Sequence, residues 1–200
     1  MNGDESKFPL ENPRVLTGRI EASLSENSFT DQPLALRFTI TLELEAPAGQ
    51  DAPRIQIAPL LLPIRSWRDL VGTSWTFPER PAMGLSDGQP VPIEAHAPAT
   101  YSVGDMHTDI VCTRLDFGAL EAHHIDATIT LVETSSPTKT VAVGDLAAKL
   151  EIGTIRILGD VIHVERPGVD AALQLAAPLI DLKDFEARQH GRIVHLHFRP

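Results

Sequence analysis

The sequence predicts a mainly β protein, an antiparallel β-sandwich or open barrel with one or two short helices. The clearest observation is the stretch 34–45, where large apolar residues alternate with polar or small ones. A period of two places the large side chains on one face of a strand whose other face meets water. The same period recurs at residues 16–24, and apolar residues at helical spacing are scarce. Two-residue periodicity therefore organises the burial of this polypeptide.

The same reasoning places further strands along the chain, bounded by turn-forming residues. Residues 25–33 separate the first two strands and indicate a hairpin with a long loop. Gly159 and Asp160 form a dipeptide suited to a tight hairpin turn. We expect roughly seven to nine strands in such an architecture. The sequence places them at residues 16–24, 34–45, 54–57, 109–117, 124–133, 150–157, 161–165 and 192–198.

Two short helices are also predicted. Residues 169–177 are rich in alanine, carry apolar residues at helical spacing and stop at Pro178, as expected for a short helix. Ser66 has a side chain suited to cap a second helical turn, which runs through Trp67 and ends at Gly72.

A proline-rich segment, residues 78–98, shows no apolar periodicity and is predicted to be a long surface loop. Because long loops in compact domains are usually functional, Ser86 and Asp87 near its centre are candidate binding residues. Residues 84–88 also match G-x-S-x-G, in which a nucleophilic serine follows a strand and precedes a helix. Prolines on both sides argue against that strand and that helix, so we expect an exposed turn.

The length of the chain favours one domain. We expect a flexible N-terminus at residues 1–13 and a single β-rich domain at residues 14–200. Residues 134–139 are a boundary candidate, which leaves open a C-terminal subdomain of hairpin and helix from about residue 140.

The charge of the chain is strongly negative, with a formal net charge of -10 at pH 7 and a pI near 5.2. Arg54, Arg65, Arg68 and Arg80 stand singly, so the basic footprint of a nucleic-acid-binding protein is missing. Such a surface favours solubility and fast association with a basic protein partner.

Neither targeting nor membrane insertion is indicated by the sequence. Its first residues contain no apolar stretch behind basic residues, so they do not resemble a signal peptide. The most apolar run, residues 58–64, is interrupted by two prolines and is much shorter than the roughly 18 residues that span a bilayer. Cys112 is the only cysteine, which excludes an intrachain disulfide. We therefore expect a cytoplasmic protein without a membrane partner.

Histidines and aspartates at spacing two suggest one candidate metal site. Asp105, His107 and Asp109 share one side of an extended segment, and His195 and His197 repeat the spacing near the C-terminus. If these strands are neighbours, their side chains converge as ligands of a divalent metal. The alternative is that alternation simply leaves polar residues on the solvent face, and this alternative needs no cofactor.

Aromatic residues and the cysteine admit two interpretations each. Trp67 and Trp75 either anchor the core or form, with Phe77 and the proline-rich loop, a recognition surface. Cys112 is either a small core residue or a nucleophile, and a nucleophile requires a basic partner that lowers its pKa.

These observations favour a non-enzymatic protein that binds another protein, in one concrete form an inhibitor or immunity-type protein opposing a basic partner. The first alternative is a metal-dependent hydrolase or oxygenase built from the histidine and aspartate residues. The second is a small-molecule carrier with its ligand inside a barrel.

Overall fold

The structure is a computed structural model that describes residues 13–27, 32–46, 49–80, 83–86, 89–92, 96–136, 139–158 and 168–200. Strands dominate it. In chain order they are β1 (Val15–Asn27), β2 (Gln32–Leu44), β3 (Arg54–Leu60), β4 (Ser74–Thr76), β5 (Met83–Ser86), β6 (Gln89–Pro92), β7 (Pro98–Val103), β8 (Met106–Glu121), β9 (His124–Ser136), β10 (Lys139–Leu158), β11 (Phe185–His190) and β12 (Ile193–Phe198). One α-helix, α1 (Val169–Ala176), and two 3₁₀ turns, Trp67–Leu70 and Leu182–Asp184, complete the described elements.

Seven strands close into a barrel in the order β1, β2, β3, β7, β8, β9 and β10, with β10 returning to β1. Neighbouring strands run antiparallel except at the β1–β10 pair, which is parallel. This mainly β architecture with few helices confirms the predicted fold class. Closure removes the exposed edges that an open sheet of these strands would carry.

The alternation of apolar and polar residues in the sequence determines which side chains face the inside of the barrel and which face the outside. In β2, the odd-numbered polar residues point outward, while the apolar residues between them face the interior. Phe38, Ile40, Leu42 and Leu44 are at most 1% exposed. Burying one such side chain contributes about 1.5–3 kcal/mol, so this strand alone supplies a large share of the core.

The parallel seam between β1 and β10 depends on a glycine. The register shifts between the pairs Ile20↔Ile152 and Ala22↔Ile155, which marks an irregularity in the pairing. A Cβ atom on Gly153 would lie 3.0 Å from Cβ of Glu21 and 3.1 Å from the carbonyl oxygen of Ile20. Because only glycine lacks that atom, Gly153 allows the two backbones to approach at the point of closure.

The remaining elements extend the sheet beyond the barrel. β4 pairs with β8, and the β11–β12 hairpin continues along β10 past the end of β9. Both predicted helical segments are confirmed, the first as α1. At the second, the Ser66 hydroxyl accepts a hydrogen bond from the amide of Arg68, and the Asp69 carboxylate accepts one from the amide of Ser66. This reciprocal arrangement is a capping box.

The predicted number of strands is too low, since the described residues form twelve. The largest error concerns the proline-rich segment 78–98, where β5 and β6 pair as a separate two-stranded sheet and β7 begins at Pro98. Prolines are tolerated there because a two-stranded sheet consists of edge strands, whose outer amides need no partner.

The predicted C-terminal elements have different outcomes. The predicted boundary falls where β9 ends at Ser136 and β10 begins at Lys139, two residues that pair with each other, and β10 is itself a barrel strand. The strand predicted at residues 161–165, the turn at Gly159 and Asp160, and residues 1–12 of the predicted flexible N-terminus lie outside the described residues.

Candidate functional site

An apolar groove opens on the surface where the start of β2, the segment after β3 and the turn after α1 meet. Its volume is about 440 Å³, within the range of about 300–1,000 Å³ that is typical of ligand sites. Apolar side chains make up nearly all of its described lining, in which Arg65 is the one charged residue. The apolar lining includes Leu34, Leu36, Leu61, Leu62, Pro178 and Leu179.

Local sequence explains how the groove forms. From the end of β3 onward burial alternates, with Leu60, Leu62 and Ile64 buried and Leu61 exposed. Leu61 is 39% exposed, whereas Leu62 is only 4% exposed. The alternation therefore exposes Leu61 to solvent next to buried Leu60 and Leu62, which leaves apolar surface available for a binding partner.

Arg65 joins the two sides of the groove. Its guanidinium Nη2 donates a hydrogen bond to the carbonyl oxygen of Ala177 at 3.3 Å, and its own carbonyl accepts one from the amide of Asp181 at 2.9 Å. These contacts tie the segment after β3 to the turn after α1 and fix the shape of the opening.

Side chains fill the barrel interior next to this groove. The ring of Phe38 packs edge-on against Trp67, with ring centroids 5.6 Å apart. A small void bordered by Leu36, Ile64 and these rings has no room for a water molecule. The void beside Phe38 and Trp67 therefore has no space for the ligand that the carrier hypothesis places inside the barrel.

The predicted aromatic recognition residues lie mainly in the core. Trp67 is 1% exposed and Phe77 is 9% exposed, so their rings are not accessible to a partner. Trp75 is half-buried and donates its indole N–H to the hydroxyl of Thr73 at 3.0 Å. The tryptophans thus act as core anchors on either side of the Val71–Gly72 turn, which was one of the two interpretations of the sequence.

Of the two candidate binding residues in the proline-rich segment, the structure describes one. Ser86 is the last residue of β5, and Asp87 lies outside the described residues. The expectation that no strand precedes the G-x-S-x-G serine was wrong. A strand rather than a helix follows it, because β6 begins at Gln89, so the strand–turn–helix of a nucleophile elbow is not formed.

The histidine and aspartate residues do not converge. Asp105 lies in the turn between β7 and β8, His107 and Asp109 lie on the first residues of β8, and His195 and His197 lie on β12. In the part of the chain that the structure describes, no group of three His, Cys, Asp or Glu side chains is placed to hold a metal ion.

Strand register explains this separation. Ile110 of β8 pairs with Glu133 of β9, and Glu133 in turn pairs with Val141 of β10. His195 of β12 pairs with Arg156 of β10 instead. Val141 and Arg156 are separated by about 50 Å along β10, at roughly 3.3 Å per residue of extended chain.

A cationic row that the sequence did not reveal crosses the outer face of five strands. Register places Arg188, His195, Arg156, Ser23 and Arg37 side by side on β11, β12, β10, β1 and β2. Arg156 contacts the Glu21 carboxylate at 3.1 Å, and Arg188 contacts the Glu186 carboxylate at 2.9 Å. Burial, followed by the charge of His197, lowers the pKa of His195, so its ring is neutral at neutral pH.

A second surface depression, of about 460 Å³, lies on the outer face of β8, β9 and β10. Two of the charged residues that line it, Asp116 and Lys149, already have partners. The Asp116 carboxylate accepts from Ser74 and from Arg114, and these hydrogen bonds hold the pKa of that carboxyl below its usual value. Lys149 contacts Glu121 at 2.8 Å. The apolar groove is the better candidate site because it exposes apolar surface to solvent.

Cys112 is a core residue. Its side chain is 0% exposed, and its Sγ lies 3.3 Å from the carbonyl oxygen of Arg114. Burial raises the pKa of the thiol to about 12, so the thiolate required of a nucleophile is not formed near neutral pH.

Neither a protein-family model, nor a curated protein, nor a solved structure matches this chain. Among the described residues, no helix has the length and apolar character needed to cross a membrane.

Proposed function

We propose that this chain is a non-enzymatic binding protein whose partner is another protein, and that the partner inserts apolar side chains into the groove beside Leu61. The observation that carries the proposal is a ligand-sized apolar groove that exposes a leucine. Apolar anchors that fill such pockets dominate the free energy of protein association.

The overall charge supports a basic partner. A net charge of -10 attracts a positively charged protein over distances of several ångströms, which raises the association rate and makes it depend on ionic strength. An inhibitor of the immunity type, acting in the cytoplasm on a basic protein, is the concrete form that we put forward. The groove then supplies contact area, and the charge supplies attraction.

Replacing Leu61 by glutamate is expected to weaken binding about tenfold or more, because a charged group would occupy the apolar contact. The measurement is retention of partners from cell lysate by immobilised protein, followed by titration of the retained partner. Leu16→Glu is the matched control, since Leu16 is also an exposed leucine, at 56%, and does not line the groove.

The proposal requires that the Leu16→Glu variant retain the partner and the Leu61→Glu variant lose it, with slower association at high salt. Equal binding by both variants would show that the partner does not bind in the groove. An association rate that does not change with ionic strength would contradict a basic partner.

A small-molecule carrier is the second candidate, and the groove volume of about 440 Å³ favours it. Native mass spectrometry separates the two functions. An apolar compound that is retained by the wild type and the Leu16→Glu variant, but not by Leu61→Glu, would support a carrier. The metal-dependent hydrolase hypothesis has no converging set of ligands among the described residues.

A further inference from the structure

In the part of the chain that the structure describes, β11 lies at one edge of the sheet. Among the described strands it pairs only with β12, and it ends the strand order on that side. Its outward residues Glu186, Arg188 and His190 are exposed. An edge strand presents unpaired amide and carbonyl groups that can hydrogen-bond to another strand.

The charged residues along this edge would be complementary to those of a second copy of the same strand. When two copies of β11 lie antiparallel about Ala187, Glu186 of one copy lies opposite Arg188 of the other, and the twofold axis repeats this pair. A pairing centred on residue 186 or 188 instead places two like charges directly opposite each other, which is destabilising. Charge complementarity therefore favours a single register.

Packing and the neighbouring cationic row favour the same register. Ala187 would face its own copy, and its small side chain leaves room at the axis. In one subunit, Arg188 lies beside His195, which lies beside Arg156. Arg188 already contacts Glu186 of its own chain at 2.9 Å, and pairing would bring the Glu186 carboxylate of the second copy opposite it as well.

We propose that the protein forms a symmetric dimer through antiparallel pairing of two β11 strands centred on Ala187. A six-residue strand buries less area than the interface of a stable complex, so the dimer is weak, with a dissociation constant on the order of 10 µM to 1 mM. The dimer does not depend on the apolar groove and stands apart from the proposed function.

Sedimentation velocity over roughly 10 µM to 1 mM protein tests the dimer, at about 0.15 M salt to screen the net negative charge. The wild type is expected to shift with concentration from the 21.8 kDa monomer towards twice that mass. Glu186→Arg and Arg188→Glu each place like charges across the axis, and each is expected to weaken dimerisation about tenfold.

An equimolar mixture of the two variants is the decisive sample, since one then supplies two positive and the other two negative side chains at these positions. The mixture is expected to recover the association that each variant lacks alone. Arg54→Glu is the control, because Arg54 is exposed on β3 and not on β11. This variant should dimerise like the wild type.

Three results would overturn the proposal. The first is a wild type that stays monomeric over the whole range. The second is a dimer that both charge-reversed variants form unchanged, because it would use another surface. The third is a mixture that associates no better than its components, with circular dichroism showing that both variants are folded.

Discussion

Replacing Phe38 by alanine is expected to lower the free energy of unfolding by about 3–5 kcal/mol. Phe38 is 1% exposed, and its ring packs edge-on against Trp67. Its truncation removes buried apolar surface and leaves a void that the surrounding strands cannot close, because they are held by the barrel ladder. Urea unfolding followed by tryptophan fluorescence measures the loss.

Leu16→Ala is the control for this substitution. Leu16 is 56% exposed, so its truncation should change stability by no more than about 0.5 kcal/mol. If Phe38→Ala and Leu16→Ala lower the free energy of unfolding equally, Phe38 does not pack against Trp67 in the core.

Gly153→Val is expected to cost about 1–3 kcal/mol, the usual penalty for forcing extra atoms into a packed site. The first added carbon would lie 3.0 Å from Cβ of Glu21 and 3.1 Å from the Ile20 carbonyl oxygen. Because one of these atoms belongs to the backbone of β1, relief requires the two strands of the seam to separate. The same urea titration measures this effect.

Ala147→Val tests whether the penalty at Gly153 arises from the seam. Ala147 lies on the same strand but is exposed on the outer face, and valine favours strands. We expect a change of no more than about 0.5 kcal/mol there. A Gly153→Val protein as stable as Ala147→Val would show that β1 and β10 do not approach closely at Gly153.

The sequence predicts the strands whose apolar residues alternate. Leu36 to Leu44 and Ile125 to Leu131 follow a strict period of two, and both lie on barrel strands. Capping by Ser66 was also predictable, because its mechanism is local: a hydroxyl and an aspartate three residues later.

Other strands carry no such pattern. The first half of β10 contains Ala142, Gly144, Ala147 and Ala148, whose small side chains give little contrast between the two faces. β11 is short and mostly polar because it lies at an edge. In each case the strand is specified by its partners, which act through hydrogen bonds that periodicity does not record.

The candidate site was beyond sequence reasoning for a related reason. Leu61 stands in an apolar run that the sequence marks only as too short to span a membrane. Its place in a groove depends on Leu34 and Leu179, which lie far away in the chain and come close to it only in the folded protein. The cationic row from Arg37 to Arg188 is likewise created by strand register.

Closure of the barrel by the parallel β1–β10 pair is the claim on which the groove, the core and the exposed β11 edge all depend. Nuclear Overhauser effects between backbone protons of the two strands test it most directly. The structure predicts cross-peaks that join Ile20 to Ile152 and Leu24 to Ile157, in parallel order. Absence of these cross-peaks in an assigned spectrum, or cross-peaks in antiparallel order, would contradict the barrel.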